Sequence, residues 1–423
     1  MAPLYPLLFS ALLLGFNYYC LVNRRSSWFL NLMVMHVVLT AVVAPWLGYE
    51  IFDRQGLSVV WNKQMMIPFG EYFSFVIPAV ACYQFGLFFG GRELFSSRWQ
   101  LLLPVERTWP LVVGIVSWTI KLMSVTLWNS LGLLPRIFYL GLPIFLFWHC
   151  SKEENRLEKM LSIGATILWV ADYLRGGMFG ELIIITALIF LSSVKKMSWG
   201  RMSILTLSFM ALLSAIQISK DEYRVNLSLG EGVYDSMASS AEVSLPNSQT
   251  EFFKLYWRMN QGQLISEAMA YTPSERSHSS SMLFEEIVAV LVPRFLWKDK
   301  PGVGGAFKIK NYTSVKSNTD QTSFNISFLG DFWIALGSYG IILSFFWGQV
   351  QARVFLFLLE LVRQNWMSFG QMLLCLLYFD AAETDLYAAL NWVFKVGILI
   401  LIVNQLSALM RRGRSWDKKS LAS

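Results

Sequence analysis

Three arginines stand where a phosphate could be held. The stretch LVPRFLWKDKPG sets Arg294 directly after Pro293 and follows it with Trp297, Lys298, Asp299 and Lys300 before Pro301 and Gly302 end the element. A tryptophan anchors such a segment at headgroup depth. A guanidinium grips phosphate oxygens bidentately and keeps its charge. Two readings are open: a helix terminus lying on a bilayer with its lysines on lipid phosphates, or an arginine positioned on a phosphate carried by a lipid substrate. WVADYLRGGMFGELIIITALIF places Arg175 at the end of one apolar run, beside Gly176 and Gly177. It either snorkels to the interface at a turn or serves a site at membrane depth. FKLYWRMNQG puts Arg258 next to Tyr256 and Trp257, as an interfacial amphipathic helix or as an anion ligand.

Carboxylates and histidines are the other candidates. Asp331, in SFNISFLGDFWIALGSYGIIL, falls inside an apolar run and needs a partner. Pairing with an arginine is expected; accepting a proton from a hydroxyl is the alternative. Gly330 and the pair Gly337 and Gly340 would put small residues on a packing face of that run. His278, in ERSHSSS, reads as an exposed loop residue or a general base, with Glu285 as another candidate base. His36 and His149 read as span residues near an interface. Lys121 and Lys395 fall inside spans and need polar company. Asp380, Glu383 and Asp385, in FDAAETDLY, read as a solvated outer turn, with cation or sugar binding as the alternative.

The elements that must position these residues are membrane helices. The 423 residues are 55% hydrophobic and only 15% charged, against about 25% charged in soluble domains. The apolar blocks are long enough for a ~30 Å hydrocarbon core, and they lack the alternation of barrel strands. An all-α, polytopic transmembrane helical bundle of about eleven spans is expected, near 3–22, 27–48, 67–89, 109–130, 135–149, 160–174, 178–194, 202–218, 326–348, 367–380 and 387–405. The first apolar run reads as a retained span, having no basic residue before it and no cleavage site. Basic residues cluster in alternate connections: Arg24 and Arg25; Arg92, Arg98 and Arg107; Lys152, Arg156 and Lys159; Lys195, Lys196 and Arg201; Arg353 and Arg363; then the tail RRGRSWDKKS. The positive-inside rule makes these cytoplasmic, with the N-terminus outside and the C-terminus inside. The expected division is an N-terminal bundle 1–218, a large, partly helical outer loop 219–325, C-terminal helices 326–405 and a basic cytoplasmic tail 406–423.

The net charge of +7 fits membrane flanks better than nucleic acid. Cys20, Cys82, Cys150 and Cys375 lie in or beside apolar segments without metal-ligand spacing, so neither a disulfide framework nor a zinc site is expected. No Walker loop and no soluble nucleotide domain are present. A loop of the length of 219–325 is functional or disordered rather than a connector.

Three segments together resemble the Wzy-type O-antigen and exopolysaccharide repeat-unit polymerases and, more distantly, the O-antigen ligases. YLRGGMFGELIIITALIFLSS resembles a Ser-Arg-Gly span, with Leu174 at the serine. VPRFLWKDKPG resembles a Pro-Arg-x-x-Trp-x-x-Lys-Pro element of the large periplasmic loop. SFNISFLGDFWIALGSYGIIL resembles the return span, where an Asn, here Asn325, and a Gly-x-x-Gly pattern recur. The ligases carry a histidine before that span, where this chain reads Thr322-Ser-Phe-Asn325. The resemblance implies an inverting, metal-independent glycosyl transfer at the periplasmic face of a bacterial inner membrane. A growing glycan moves from undecaprenyl pyrophosphate to a sugar hydroxyl of a new lipid-linked repeat unit. Arg175, Arg294 and Arg258 would stabilise the leaving pyrophosphate without cofactor or metal. Trp297, Lys298, Asp299, Lys300, Asn325, Asp331 and His278 would line the substrate. The implied partners are membrane lipids, the undecaprenyl-pyrophosphate-linked oligosaccharide, a chain-length regulator and a flippase, with no nucleic acid. The rivals are a ligase-like transfer to another acceptor and a lipid-linked oligosaccharide transporter. A transporter predicts charged residues along a path through many spans.

Overall fold

The computed structural model describes residues 3–23, 26–52, 64–97, 108–123, 138–146, 156–175, 256, 259–292, 297, 303–314, 325–380 and 382–420, with 108–110, 122, 156–159, 162, 173–175 and 407–420 as backbone only. Among the described residues the chain is helical throughout, with no strand. Among the described residues, five helical stretches are long and apolar enough to cross a membrane: Tyr5–Val22, Trp28–Ile51, Phe69–Gly90, Ser327–Arg363, which is broken at Gly337, and Leu386–Leu406. The expected spans near 178–194 and 202–218 lie outside the described residues.

The described residues fall into two compact units. The first comprises residues 1–100, 196–356 and 378–391. In it, α1 (Tyr5–Val22) packs on α2, which begins as Trp28–Val38 and continues through π-helical stretches at Leu39–Val43 and Gly48–Phe52. α3 (Phe69–Gly90) joins them, followed by the short α4 (Arg92–Ser96). Buried polar pairs tie these helices where lipid would offer no partner. Asn17 Nδ2 donates to Gln84 Oε1 at 2.9 Å, and the Tyr72 hydroxyl donates to the Ala41 carbonyl at 2.9 Å. The second unit comprises residues 101–195, 357–377 and 392–423, and contains α5 (Thr108–Met123), α6 (138–146), α7 (Arg156–Arg175) and α13 (Phe369–Leu376). Its Lys121 has the polar company that a lysine among apolar residues requires. The ammonium lies 2.7 Å from Asp172 Oδ2, and the Tyr139 hydroxyl donates to the same oxygen at 2.7 Å.

Three helices of the region before residue 325 belong to the first unit: α8 (Gln261–Tyr271), α9 (Ser280–Leu291) and α10 (Gly305–Tyr312). They lead to α11 (Ser327–Leu336), a one-turn 3-10 segment (Gly337–Tyr339) and α12 (Gly340–Arg363).

The expected single span at 326–348 is two helices running in opposite senses. Phe328 packs on Tyr83 and Trp333 on Phe75, so α11 runs against the direction of α3. A Cβ on Gly86 would collide with the Phe345 carbonyl, and one on Gly90 with Gln349, so α12 runs with α3. The reversal turns on Gly337, at φ +57° and ψ −134°, a region open to glycine. A Cβ on Gly340 would stand 2.7 Å from the Phe332 carbonyl, so no side chain fits at the fold-back. Gly337 and Gly340 therefore make a bend rather than the small-residue packing face expected of a straight helix. α11 is apolar on nearly every side, and Ser327 through Ala335 are all buried.

α13 spans eight residues, or about 12 Å, too short to cross a hydrocarbon core as a straight helix. The turn 378–385 after it does not lie at helix ends. The Phe379 carbonyl accepts from Gln351 Nε2 at 2.9 Å, halfway along α12, and Gln351 Oε1 accepts from the Tyr83 hydroxyl at 2.6 Å. Irregular backbone at such a level persists only where protein groups satisfy it or where it lines a water-bearing cavity. α14 (Leu386–Ser420) leaves this turn.

Candidate functional site

Residues Gly305, Lys308, Ile309 and Tyr312 share the buried face of α10, while Lys310 points outward. The apolar neighbours pull Lys308 inside with them, and its side chain has no exposed surface. Three carboxylates meet it: Asp331 Oδ1 at 2.7 Å, Glu286 Oε1 at 2.8 Å and Asp385 Oδ2 at 3.5 Å. The carboxylates are anchored in turn. Asp331 Oδ2 accepts from the Leu386 amide at 2.9 Å, and Asp385 Oδ1 accepts from the Ala388 amide at 2.7 Å. Both therefore satisfy the first turn of α14, where the helix dipole also favours negative charge. Glu286 Oε1 accepts from the Gly304 amide at 3.4 Å, while its Oε2 is buried without a hydrogen-bond partner among the described residues. Lys308 thus joins α9, α10, α11 and the start of α14.

Three carboxylates around one ammonium leave an excess of negative charge, which the hub relieves by retaining a proton. Burial first, and then the Asp331 and Asp385 charges, push the Glu286 carboxyl from 4.5 to about 8, against the pull of Lys308. Burial alone would lower the Lys308 pKa; the Asp331, Asp385 and Glu286 carboxylates outweigh it and hold the ammonium above its ordinary value. The folded chain keeps a proton on Glu286 that an unfolded chain has lost above about 4.5, so stability falls as pH rises. This contribution is complete below about 4.5 and gone by about 8. Melting in detergent is therefore expected at lower temperature as pH rises through that window, and Glu286→Gln is expected to flatten the slope. An unchanged slope in the variant would remove Glu286 as its source.

The same turn builds a second constellation. His36 lies a third of the way along the continuous helix Trp28–Ile51. Its Nδ1 is 2.5 Å from Asp380 Oδ2 and its Nε2 is 3.2 Å from Glu383 Oε1. Asp380 Oδ1 accepts from the Ala382 amide at 3.0 Å, which holds the carboxylate toward the ring. The three side chains are partly exposed, 36% for His36, 26% for Asp380 and 45% for Glu383. The turn read as a solvated connection is instead split between a buried hub and a half-open imidazole–carboxylate group. The imidazole fills the gap between its two carboxylates, and no group among the described residues has a metal-site arrangement.

The expected ligands distribute unevenly. Asp331 is paired with a lysine instead of the expected arginine. His278 is exposed, and its Nδ1 donates to the Trp333 carbonyl at 3.0 Å. Asn325 and Trp297 are half-buried. Arg175 is the last residue of α7, its side chain outside what is described. Arg258, Arg294, Lys298, Asp299 and Lys300 lie outside the described residues. Glu285, the candidate base, is exposed, and its neighbour Glu286 carries the buried interaction. One signal for that was present: Glu286 shares a helical face with Met282, Ala289 and Val290.

Residues 133–362, more than half of the chain, match a protein family described as Domain of unknown function (DUF8712). The chain belongs to that family. No curated protein and no solved structure matches it.

Proposed function

We propose that this DUF8712 member is a polytopic inner-membrane glycosyltransferase that polymerises lipid-linked oligosaccharide repeat units at the outer face. In this reading the bundle has about eleven spans with the N-terminus periplasmic. The growing glycan leaves undecaprenyl pyrophosphate for a sugar hydroxyl of a new repeat unit. One observation carries the proposal. The basic, aromatic stretch around Arg294 and Trp297 connects α9 to α10, and the buried Glu286–Lys308 pair clamps these helices together. Lys308 also grips Asp331 of α11. The ends of the stretch are thereby tied to the helix that folds back at Gly337, and Arg294, three positions after Leu291, can stand no more than about 11 Å from the end of α9. An arginine tethered so closely to a fixed helix end can meet a phosphate held at the membrane surface.

The reaction needs a group that takes the acceptor's proton, and the His36–Glu383 pair suits this. Nδ1 of His36 faces Asp380 and Nε2 faces Glu383, so the imidazole and its carboxylates form one group that can share an incoming proton. The pair takes up the hydroxyl proton, the sugar oxygen bonds to the donor's anomeric carbon, and the carbon–oxygen bond to pyrophosphate breaks. The electron pair stays on undecaprenyl pyrophosphate, where Arg294, Arg175 and Arg258 stabilise it. The transporter alternative draws on the same ionisable groups among the helices, but leaves the tethered basic stretch without a role.

Cells lacking the protein are complemented with wild type or Arg294→Ala at equal membrane level, and their lipid-linked glycans are resolved by length. The variant is expected to accumulate single repeat units, with polymer reduced about a hundredfold or more. Normal polymer in the variant would end the arginine assignment. Full-length polymer retained on its carrier in cells lacking the protein would indicate a ligase.

A further inference from the structure

The turn 378–385 is held at its two ends by groups of different kinds. At its start the Phe379 carbonyl accepts from Gln351 Nε2 at 2.9 Å. Gln351 is fully buried, and its Oε1 accepts from the Tyr83 hydroxyl, so this end rests on neutral groups. At its other end the turn enters the charged hub. Asp385 Oδ2 lies 3.5 Å from the Lys308 ammonium, and the Leu386 amide donates to Asp331 Oδ2 at 2.9 Å. Between the two ends stand Asp380 and Glu383, the carboxylates that meet His36. The turn is braced internally. The Thr384 hydroxyl donates to the Asp380 carbonyl at 2.9 Å, and the Ala382 amide donates to Asp380 Oδ1 at 3.0 Å. A displacement of Asp385 therefore passes back to Asp380 and Glu383, while Phe379 stays pinned.

One proton decides the charge at the hub end. The side chains of Lys308, Asp331 and Asp385 have no exposed surface and Glu286 has 2%, so water does not screen them. Three carboxylates and one ammonium leave two negative charges, and a proton on Glu286 leaves one. Buried charge without a partner is costly. The charged groups that face Glu286 are Lys308 on α10, Asp331 on α11 and Asp385 on the turn. Glu286 and Asp385 also approach the same glycine. The Gly304 amide meets Glu286 Oε1, and a Cβ on Gly304 would stand 3.5 Å from Asp385 Oδ2. At the far end, His36 faces Asp380 and Glu383, and α3 brings the Tyr83 hydroxyl into the field of Asp380. We propose that the hub is a proton switch for the His36 group: a proton on Glu286 keeps Asp385 beside Lys308 and holds Asp380 and Glu383 on the imidazole, and its release to bulk water swings the turn away. The charge change is local, and the braced turn is the two-position element it biases. The polymerase reading enters only in what the His36 group does; the link between hub and imidazole stands without it.

Histidine NMR of the purified full-length protein in detergent tests this without turnover. The chain has three histidines, so ring signals are few, and the His36 signal is the one missing from His36→Gln. In wild type that signal is expected to show, besides its own titration, a reversible second step centred at about pH 8, well below the melting temperature. Glu286→Gln, which keeps the hub in its protonated charge state, is expected to abolish the second step. No second step in wild type, or the same step in Glu286→Gln, would overturn the switch. Should Glu286→Gln fail to fold, Asp385→Asn decides. It removes a charge that helps Glu286 keep its proton, so the step is expected at lower pH, and an unmoved step overturns the switch. Turnover gives a second reading. Normalised to its own value at neutral pH, wild-type kcat is expected to fall about tenfold by one pH unit above the midpoint, and Glu286→Gln is expected to lose that fall. An equal fall in both would overturn the switch. A coupled His36 signal in a protein that forms no polymer would sink the polymerase reading while leaving the switch standing.

Discussion

Lys308→Met is expected to leave almost no folded protein in the membrane. The substitution keeps the length of the side chain and removes the ammonium, leaving Glu286, Asp331 and Asp385 buried around an apolar group. Breaking a buried ion pair on one side costs about 3–5 kcal/mol, against a total stability of about 5–15 kcal/mol. Here one ammonium serves three acids, so the loss falls at the upper end. Yield after detergent extraction and the melting temperature read it directly. Lys310→Met, on the exposed side of the same helix, is the control and should melt like wild type. Neutralising the acids as well, with Glu286→Gln, Asp331→Asn and Asp385→Asn in the Lys308→Met background, should restore part of the yield. A Lys308→Met protein as stable as wild type would mean that the carboxylates find other partners and that the hub does not hold α9, α10 and α11 together.

His36→Gln is expected to stop polymer formation while leaving a folded protein. Gln keeps an amide that can hydrogen-bond to Asp380 and Glu383, and the site is partly exposed, so the fold tolerates the exchange. What it loses is a group that takes a proton, worth about a hundredfold to ten-thousandfold in rate. Asp380→Asn should reduce kcat less severely, because it weakens the orientation of the ring without removing it. The purified enzyme with its lipid-linked repeat unit separates the two effects. A fall in kcat at unchanged KM supports proton transfer. A rise in KM at unchanged kcat would make the constellation a sugar-binding group instead. Full activity of His36→Gln would exclude it from the reaction.

Composition and block length alone point to a helical membrane protein, because an apolar run of that size satisfies its backbone in lipid only as a helix. The five long apolar helices agree with it. The need of Asp331 and Lys121 for polar partners was also legible, since a lone charge within an apolar run is costly. Which partner each finds was not. Asp331 meets Lys308, 23 positions earlier in the numbering, and His36 meets Asp380, 344 positions later. Pairings at such separation come from how helices pack, and periodicity within one helix carries no record of them. The bend at Gly337 was hidden for a related reason. A Gly-x-x-Gly spacing suits both close helix packing and a reversal, and only the contacts of Phe332 with Gly340 distinguish them. Residue by residue, the chain declares which side chains must avoid lipid. Tertiary packing decides which of them meet, because the cost of an unpaired buried charge is relieved by whichever partner the folded helices bring within reach.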